Sequence, residues 1–154
     1  MADFNDFLAT VEPENRDFAA QMHEFLTEQG YTQKIDTAKN GYVVSYNDTE
    51  GKVLVNFVFR KSGLVIRIYG NNISSYEDFL AALPQEMMKK VEKSPICRRL
   101  WDPTKCNSRC QMGYTFTLSD KEYRSCRFSC FMFKINDDNN PSIMDFIKKE
   151  MSYR

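Results

Sequence analysis

The chain has 154 residues, of which 42% are hydrophobic, 27% charged and 14% aromatic, and its 21 basic side chains are matched by 21 acidic ones. That length suits one domain able to bury a full core without disulfide staples, and the composition excludes disordered, fibrous and membrane-spanning classes. Overall neutrality offers no whole-molecule argument for nucleic acid or a membrane surface.

The charges are unevenly spread. Residues 1–30 carry Asp3, Asp6, Glu12, Glu14, Asp17, Glu24 and Glu28 against Arg16, whereas residues 89–109 carry Lys89, Lys90, Lys93, Arg98, Arg99, Lys105 and Arg109 against Glu92 and Asp102. The opening M-A-D-F-N-D-F-L-A-T has acids where a signal peptide needs bases, so a cytoplasmic location is expected. In that compartment five cysteines read as free thiols or metal ligands, and an odd number suits no closed disulfide framework.

Phe4, Phe7, Leu8 and Val11 recur at helical spacing, which predicts a short helix over 3–10. Pro13 suits the first turn of a second helix reaching about Gln29, with Phe18, Met22, Phe25 and Leu26 inward and Gly30 as its stop. From Tyr31 the period changes to two. Segments 32–37 and 42–47 flank Asn40-Gly41, a hairpin signal, and two further runs, K-V-L-V-N-F-V-F and L-V-I-R-I-Y, complete an antiparallel meander. One-faced burial accounts for Asn56, Arg60 and Arg67 within these runs.

Ser75-Tyr76-Glu77-Asp78 has the form of a capping box opening a helix over 75–92, which Pro84 should break near Leu83. A cysteine-rich loop at 97–110 follows, joined to a final hairpin over 112–135 that turns at Ser119-Asp120-Lys121. Asn140-Pro141 then reads as a cap and first residue of a terminal helix. The expectation is a single α+β domain, ordered α-α-β4-α-β2-α, with an antiparallel sheet of about six strands packed against helices.

The first ninety or so residues resemble a family of small bacterial α+β domains related to YdhG. The likeness lies in the opening helix with F-L-A-T-V-E-P-E-N, the meander ending L-V-I-R-I-Y, and the Y-E-D-F-L-A-A-L-P helix. Some members are described as frataxin-like iron chaperones, so the resemblance implies a fold and, as one alternative, metal delivery. The cysteine segment has no counterpart in it. Glu14 with Asp17, or Glu24 with Glu28, are spaced to share a hard cation on one helix face, though such pairs also form ordinary solvated faces.

All five cysteines fall within residues 97–130, at C-x8-C-x3-C-x15-C-x3-C spacing. Four thiolates can close a tetrahedron around zinc, and Cys97, Cys106, Cys110 and Cys126 are the expected set, with Cys130 as substitute ligand. None of the tight C-x2-C pairs of zinc ribbons is present. Strand alternation puts Cys126 and Cys130 on one face, and Cys130 within F-S-C-F-M-F also reads as a small core residue. The alternatives are five thiols packed as small buried residues, or a thiol-based redox sensor or oxidoreductase activated by Arg98, Arg99, Lys105, Arg109 and Arg127.

Arg98, Arg99, Lys105 and Arg109, with Trp101 as a stacking surface, also form a candidate site for an anionic partner, a protein or nucleic acid met through the basic 89–109 segment. The plainer reading places the lysines at a helix C-terminus and Trp101 against the core. No phosphate-cradling glycine loop, G-x-S-x-G elbow, H-E-x-x-H or dinucleotide fingerprint occurs, and the single histidine, His23, lies at the edge of a helical stripe. The sequence therefore reads as a non-enzymatic binding or regulatory module with its chemistry concentrated in the cysteine segment.

Overall fold

In the computed structural model, which describes residues 2–154, the alternating run 53–60 becomes the central strand of the molecule. Helices α1 (Phe4–Thr10) and α2 (Pro13–Glu28) lead into β1 (Thr32–Ala38), β2 (Gly41–Asn47), β3 (Val53–Arg60) and β4 (Gly63–Ile68). Then come α3 (Glu77–Ala81), α4 (Gln85–Glu92), β5 (Tyr114–Leu118), β6 (Lys121–Ser125), β7 (Met132–Lys134) and α5 (Asn140–Met151). The α+β class and the antiparallel meander are present. The strand arrangement differs from expectation: a five-stranded sheet ordered β1-β2-β3-β4-β7 stands beside a separate two-stranded β5-β6 ribbon.

The difference arises at Cys126. A hairpin over 112–135 requires its second strand to run unbroken from the turn to Ile135, but β6 ends at Ser125 and the chain closes a helical turn, with the Cys130 amide donating to the Cys126 carbonyl at 2.8 Å. Phe131 then takes φ +57°, and β7 restarts beside β4, pairing Ile66 with Phe133. Left-handed backbone at a bulky residue is sterically costly, so the surrounding packing must hold it. Phe131 is almost fully buried, with ring centroids 4.9 Å from Tyr114, 5.6 Å from Phe116 and 5.2 Å from Phe146. One side chain thereby joins the ribbon to α5.

Register explains the core. Val55 pairs with Ile68, Phe57 with Ile66 and Phe59 with Leu64, so these side chains share one face. Phe7 from α1 packs there, 5.5 Å from Phe57 and 5.8 Å from Phe59 between centroids, and Met22, Leu26, Ile143 and Phe146 complete the buried cluster. The other face carries the pairs Asn56–Arg67 and Val58–Val65. It is not simply polar. Val58 and Val65 are buried, while buried Asn56 accepts from Arg67 Nη1 at 3.4 Å.

Local signals were partly realised. The 75–92 helix breaks at 82–84, as Pro84 requires, but Ser75 forms no cap; it lies in a 3₁₀ turn over Ile73–Tyr76. The first hairpin closes with Gly41 paired to Ala38 and only Gly41 at positive φ, so Lys39-Asn40 form the turn. Asn139 rather than Asn140 precedes α5, with Pro141 within its first turn.

The carboxy-terminal end of α5 is fixed by a buried carboxylate. Glu150 accepts from Tyr76 Oη at 2.5 Å, from the Asn72 amide at 3.1 Å and Nδ2 at 3.0 Å, and from Arg154 Nε at 3.0 Å. Arg154 reaches on to Asp48 Oδ2 at 3.1 Å, tying α5 to the β2–β3 loop. Burial and the Glu150 carboxylate both raise the Tyr76 phenol pKa, so it stays a donor.

Candidate functional site

The cysteine segment is attached to the body by a short extra ladder. Ile96 bridges Ser125, the Cys97 amide donates to the Arg124 carbonyl at 2.8 Å, and the Cys126 amide donates to the Pro95 carbonyl at 2.7 Å. Cys97 and Cys126 therefore occupy one side of this ladder, opposite to Ile96 and Ser125. Cys97 is buried, and its Sγ accepts from the Gly113 amide at 3.1 Å. Gly113 is required for space: a Cβ there would lie 2.0 Å from the Ser125 carbonyl oxygen and 2.6 Å from Cys97 Cβ.

Arg127 supports the same junction from below. Its Nε donates to the Met112 carbonyl at 2.6 Å, its Nη1 to Asn71 Oδ1 at 3.3 Å, and its guanidinium lies 4.7 Å from the Tyr114 ring centroid. The loop beyond has little regular structure. A 3₁₀ turn at Arg98–Leu100 is followed by side-chain turns at Asp102, which accepts from the Thr104 amide at 3.0 Å and Oγ1 at 2.7 Å, and at Asn107, which accepts from the Arg109 amide at 2.9 Å. The Thr104 bonds hold the Asp102 carboxyl below its usual pKa. Arg99 Nη1 donates to the Cys110 carbonyl, while its buried Nε has no hydrogen-bond partner among the described residues.

The five thiols have distinct environments. Cys97 and Cys130 are buried, Cys110 and Cys126 are half-buried, and Cys106 is exposed at φ +61°. Cys130 packs in the core cluster, where burial pushes its thiol up to about 12, so it remains neutral at physiological pH. The turn at 126–130 replaces the strand alternation expected to align Cys126 with Cys130, yet it keeps Cys126 near enough to act on the Cys130 thiol. The ladder brings Cys97 and Cys126 to one side, whereas Cys106 and Cys110 belong to the outer loop. No group of three or more His, Cys, Asp or Glu side chains stands close enough to hold a metal ion among the described residues.

The structure divides the expected cationic residues: Lys89, Lys90 and Lys93 line a groove at the end of α4, Arg99 is turned to the Cys110 carbonyl, and Arg109 lines a cleft with Arg127. Over residues 89–127 the chain has ten Lys or Arg and four Asp or Glu, so the remainder of the molecule is acidic by the same margin. Trp101 is 66% exposed and does not anchor the loop in the core. Arg124 covers one face of its indole at 4.2 Å, oriented by an ion pair to Glu122 at 2.8 Å. Ile96, 65% exposed, adds apolar surface to the same lobe.

Sequence reasoning did not associate Lys52 or Asn71 with this segment. Both line a cleft of about 290 Å³ with Arg109, Cys110, Arg127 and Phe128, where the loop meets the sheet. The lysine lies in the β2–β3 connection and the asparagine after β4, so only the tertiary fold brings them together. A polar groove of about 540 Å³ lies next to it, bordered by Tyr31, Asp48 and Arg154.

The acidic helix contributes Glu14 and Asp17 to a shallow groove with Asp137, which lies in the turn before α5. His23 faces the sheet: its Nδ1 is 2.8 Å from Tyr46 Oη, its ring stacks on Phe4 at 3.9 Å, and burial lowers its pKa. Among the described residues, no helix is long and apolar enough to cross a membrane. No family model matches the chain, and neither the curated proteins nor the solved structures compared with it give a match.

Proposed function

We propose that this protein is a non-enzymatic binding module whose basic lobe recognises single-stranded nucleic acid. The observation that carries the reading is Trp101, two-thirds exposed, backed by Arg124 at 4.2 Å and flanked in sequence by Arg98, Arg99 and Lys105. An indole held flat by a guanidinium offers its other face to a base, and neighbouring cations meet the phosphates. Stacking of this kind contributes about 1–3 kcal/mol per base and tolerates sequence variation.

The test is fluorescence anisotropy with a short single-stranded oligonucleotide over a salt series. Binding should weaken steadily as salt rises, Trp101→Ala should reduce affinity by roughly tenfold or more, and reversing Arg98 and Lys105 should flatten the salt slope. Salt-independent binding, or no binding at low salt, sinks the reading.

A second reading concerns what holds the lobe, and its support is the placement of Cys97 and Cys126 on one side of the ladder with an amide directed at Cys97 Sγ. Zinc held by these two with Cys106 and Cys110 would clamp the loop once it folds back upon them. A redox role for the same thiols is the competitor. Native mass spectrometry of reduced, chelator-free protein separates them: one bound zinc with thiols shielded until chelation supports the clamp, whereas no metal and one fast-reacting thiol supports redox chemistry.

A further inference from the structure

We propose that the cleft between the cysteine loop and the sheet is a binding site for a sugar phosphate monoester that carries an aromatic base, the chemistry of a mononucleotide or of a 5′-phosphorylated strand end. Three cationic side chains, Lys52, Arg109 and Arg127, border it, and no carboxylate lines it. Arg127 is preorganised by its bonds to the Met112 carbonyl and Asn71, which leave Nη2 without a partner among the described residues. The Arg109 guanidinium likewise has no ion pair among the described residues, and Lys52 has only a surface pair with Glu50 at 3.4 Å. A phosphate entering here exchanges that weak surface pair for charge-assisted hydrogen bonds.

The cleft also has an aromatic wall. Phe128 is 48% exposed, held edge-on by Tyr69 with centroids 6.4 Å apart, and Arg67 lies 5.8 Å from its ring centroid. A ring stacked on the uncovered part of Phe128 places an attached phosphate among the three cations. The volume of about 290 Å³ is close to the lower limit for small-molecule sites, which selects one nucleotide rather than a dinucleotide.

Trp101 does not line this cleft, which takes Lys52 and Asn71 from the sheet's own loops. Cys110 lines the cleft and Cys106 does not, so the two thiols report occupancy and its control in one molecule.

The experiment follows iodoacetamide labelling of reduced full-length protein by peptide mass spectrometry, with AMP, adenosine, inorganic phosphate, and 5′-phosphorylated and 5′-hydroxyl oligonucleotides as probes. AMP should slow labelling of Cys110 and leave Cys106 unchanged, with adenosine and phosphate weaker. Lys52→Glu, on an exposed loop, should weaken protection by about tenfold while circular dichroism is unaltered. Protection by the 5′-phosphorylated strand but not AMP assigns the site to strand ends. Absence of protection by every phosphorylated probe, or equal protection in Lys52→Glu, overturns the proposal. The Trp101→Ala oligonucleotide assay is scored independently of either result.

Discussion

The five-stranded body and the cysteine lobe are stabilised by different means. In the body, Phe57, Phe7, Ile66 and Phe146 belong to one buried cluster in which many side chains share the load. In the loop over 97–113, held order comes from single polar contacts: a Gly113 amide on Cys97, an Arg99 guanidinium on a carbonyl, and turns closed by Asp102 and Asn107. Burial is non-directional and cooperative, while isolated surface hydrogen bonds contribute little and open locally. A rigid body carrying a polar, cationic lobe is a suitable division for recognition, because the lobe's side chains can change without dismantling the core.

The largest effect tests the body. Phe146→Ala removes a ring that packs on Tyr76, Phe79, Phe131 and Phe133, and should lower unfolding free energy in urea by about 3–5 kcal/mol. If the loss is under about 1 kcal/mol, the shared-load description of the body fails.

Gly113→Ala tests the junction. The added methyl meets backbone at the Ser125 carbonyl, which has little freedom to yield, so a cost of about 1–3 kcal/mol is expected, with Cys97 becoming accessible to alkylation. Unchanged Cys97 labelling would show that the lobe is not held at this point.

A smaller effect follows from His23. Burial lowers its folded pKa below the ordinary 6.5, so the unfolded chain binds the proton more readily. Stability from the neutral imidazole is complete above pH 6.5 and declines as pH falls from there through the lowered folded value. His23→Gln should flatten that part of a pH–stability curve measured by urea titration; an unchanged curve would remove His23 as its source.

The smallest expected stability change is at the proposed recognition surface. Trp101→Ala should alter unfolding free energy by no more than about 0.5 kcal/mol, because so much of the indole is already in water. Thermal denaturation checks this beside the oligonucleotide assay. A large destabilisation would mean that Trp101 anchors the loop rather than recognising a partner.

The sequence by itself determined the elements whose signal is local. Alternation at 53–60, the Pro84 break and the hydrophobic spacing of α2 and α5 each express a backbone period or a steric prohibition that neighbouring residues settle. It also marked the basic stretch and the irregular connection after α4, since charge and turn residues are readable in order. Only the tertiary structure decided that 123–135 divides at Cys126, because the left-handed Phe131 is compensated by Tyr114, Phe116 and Phe146 contacts distant along the chain. The same holds for Lys52 and Asn71 meeting Arg109 and Arg127, and for Cys97 lying on one side with Cys126. Such meetings depend on how strands pair and which surface remains uncovered, free-energy differences summed over the whole core that no single stretch encodes.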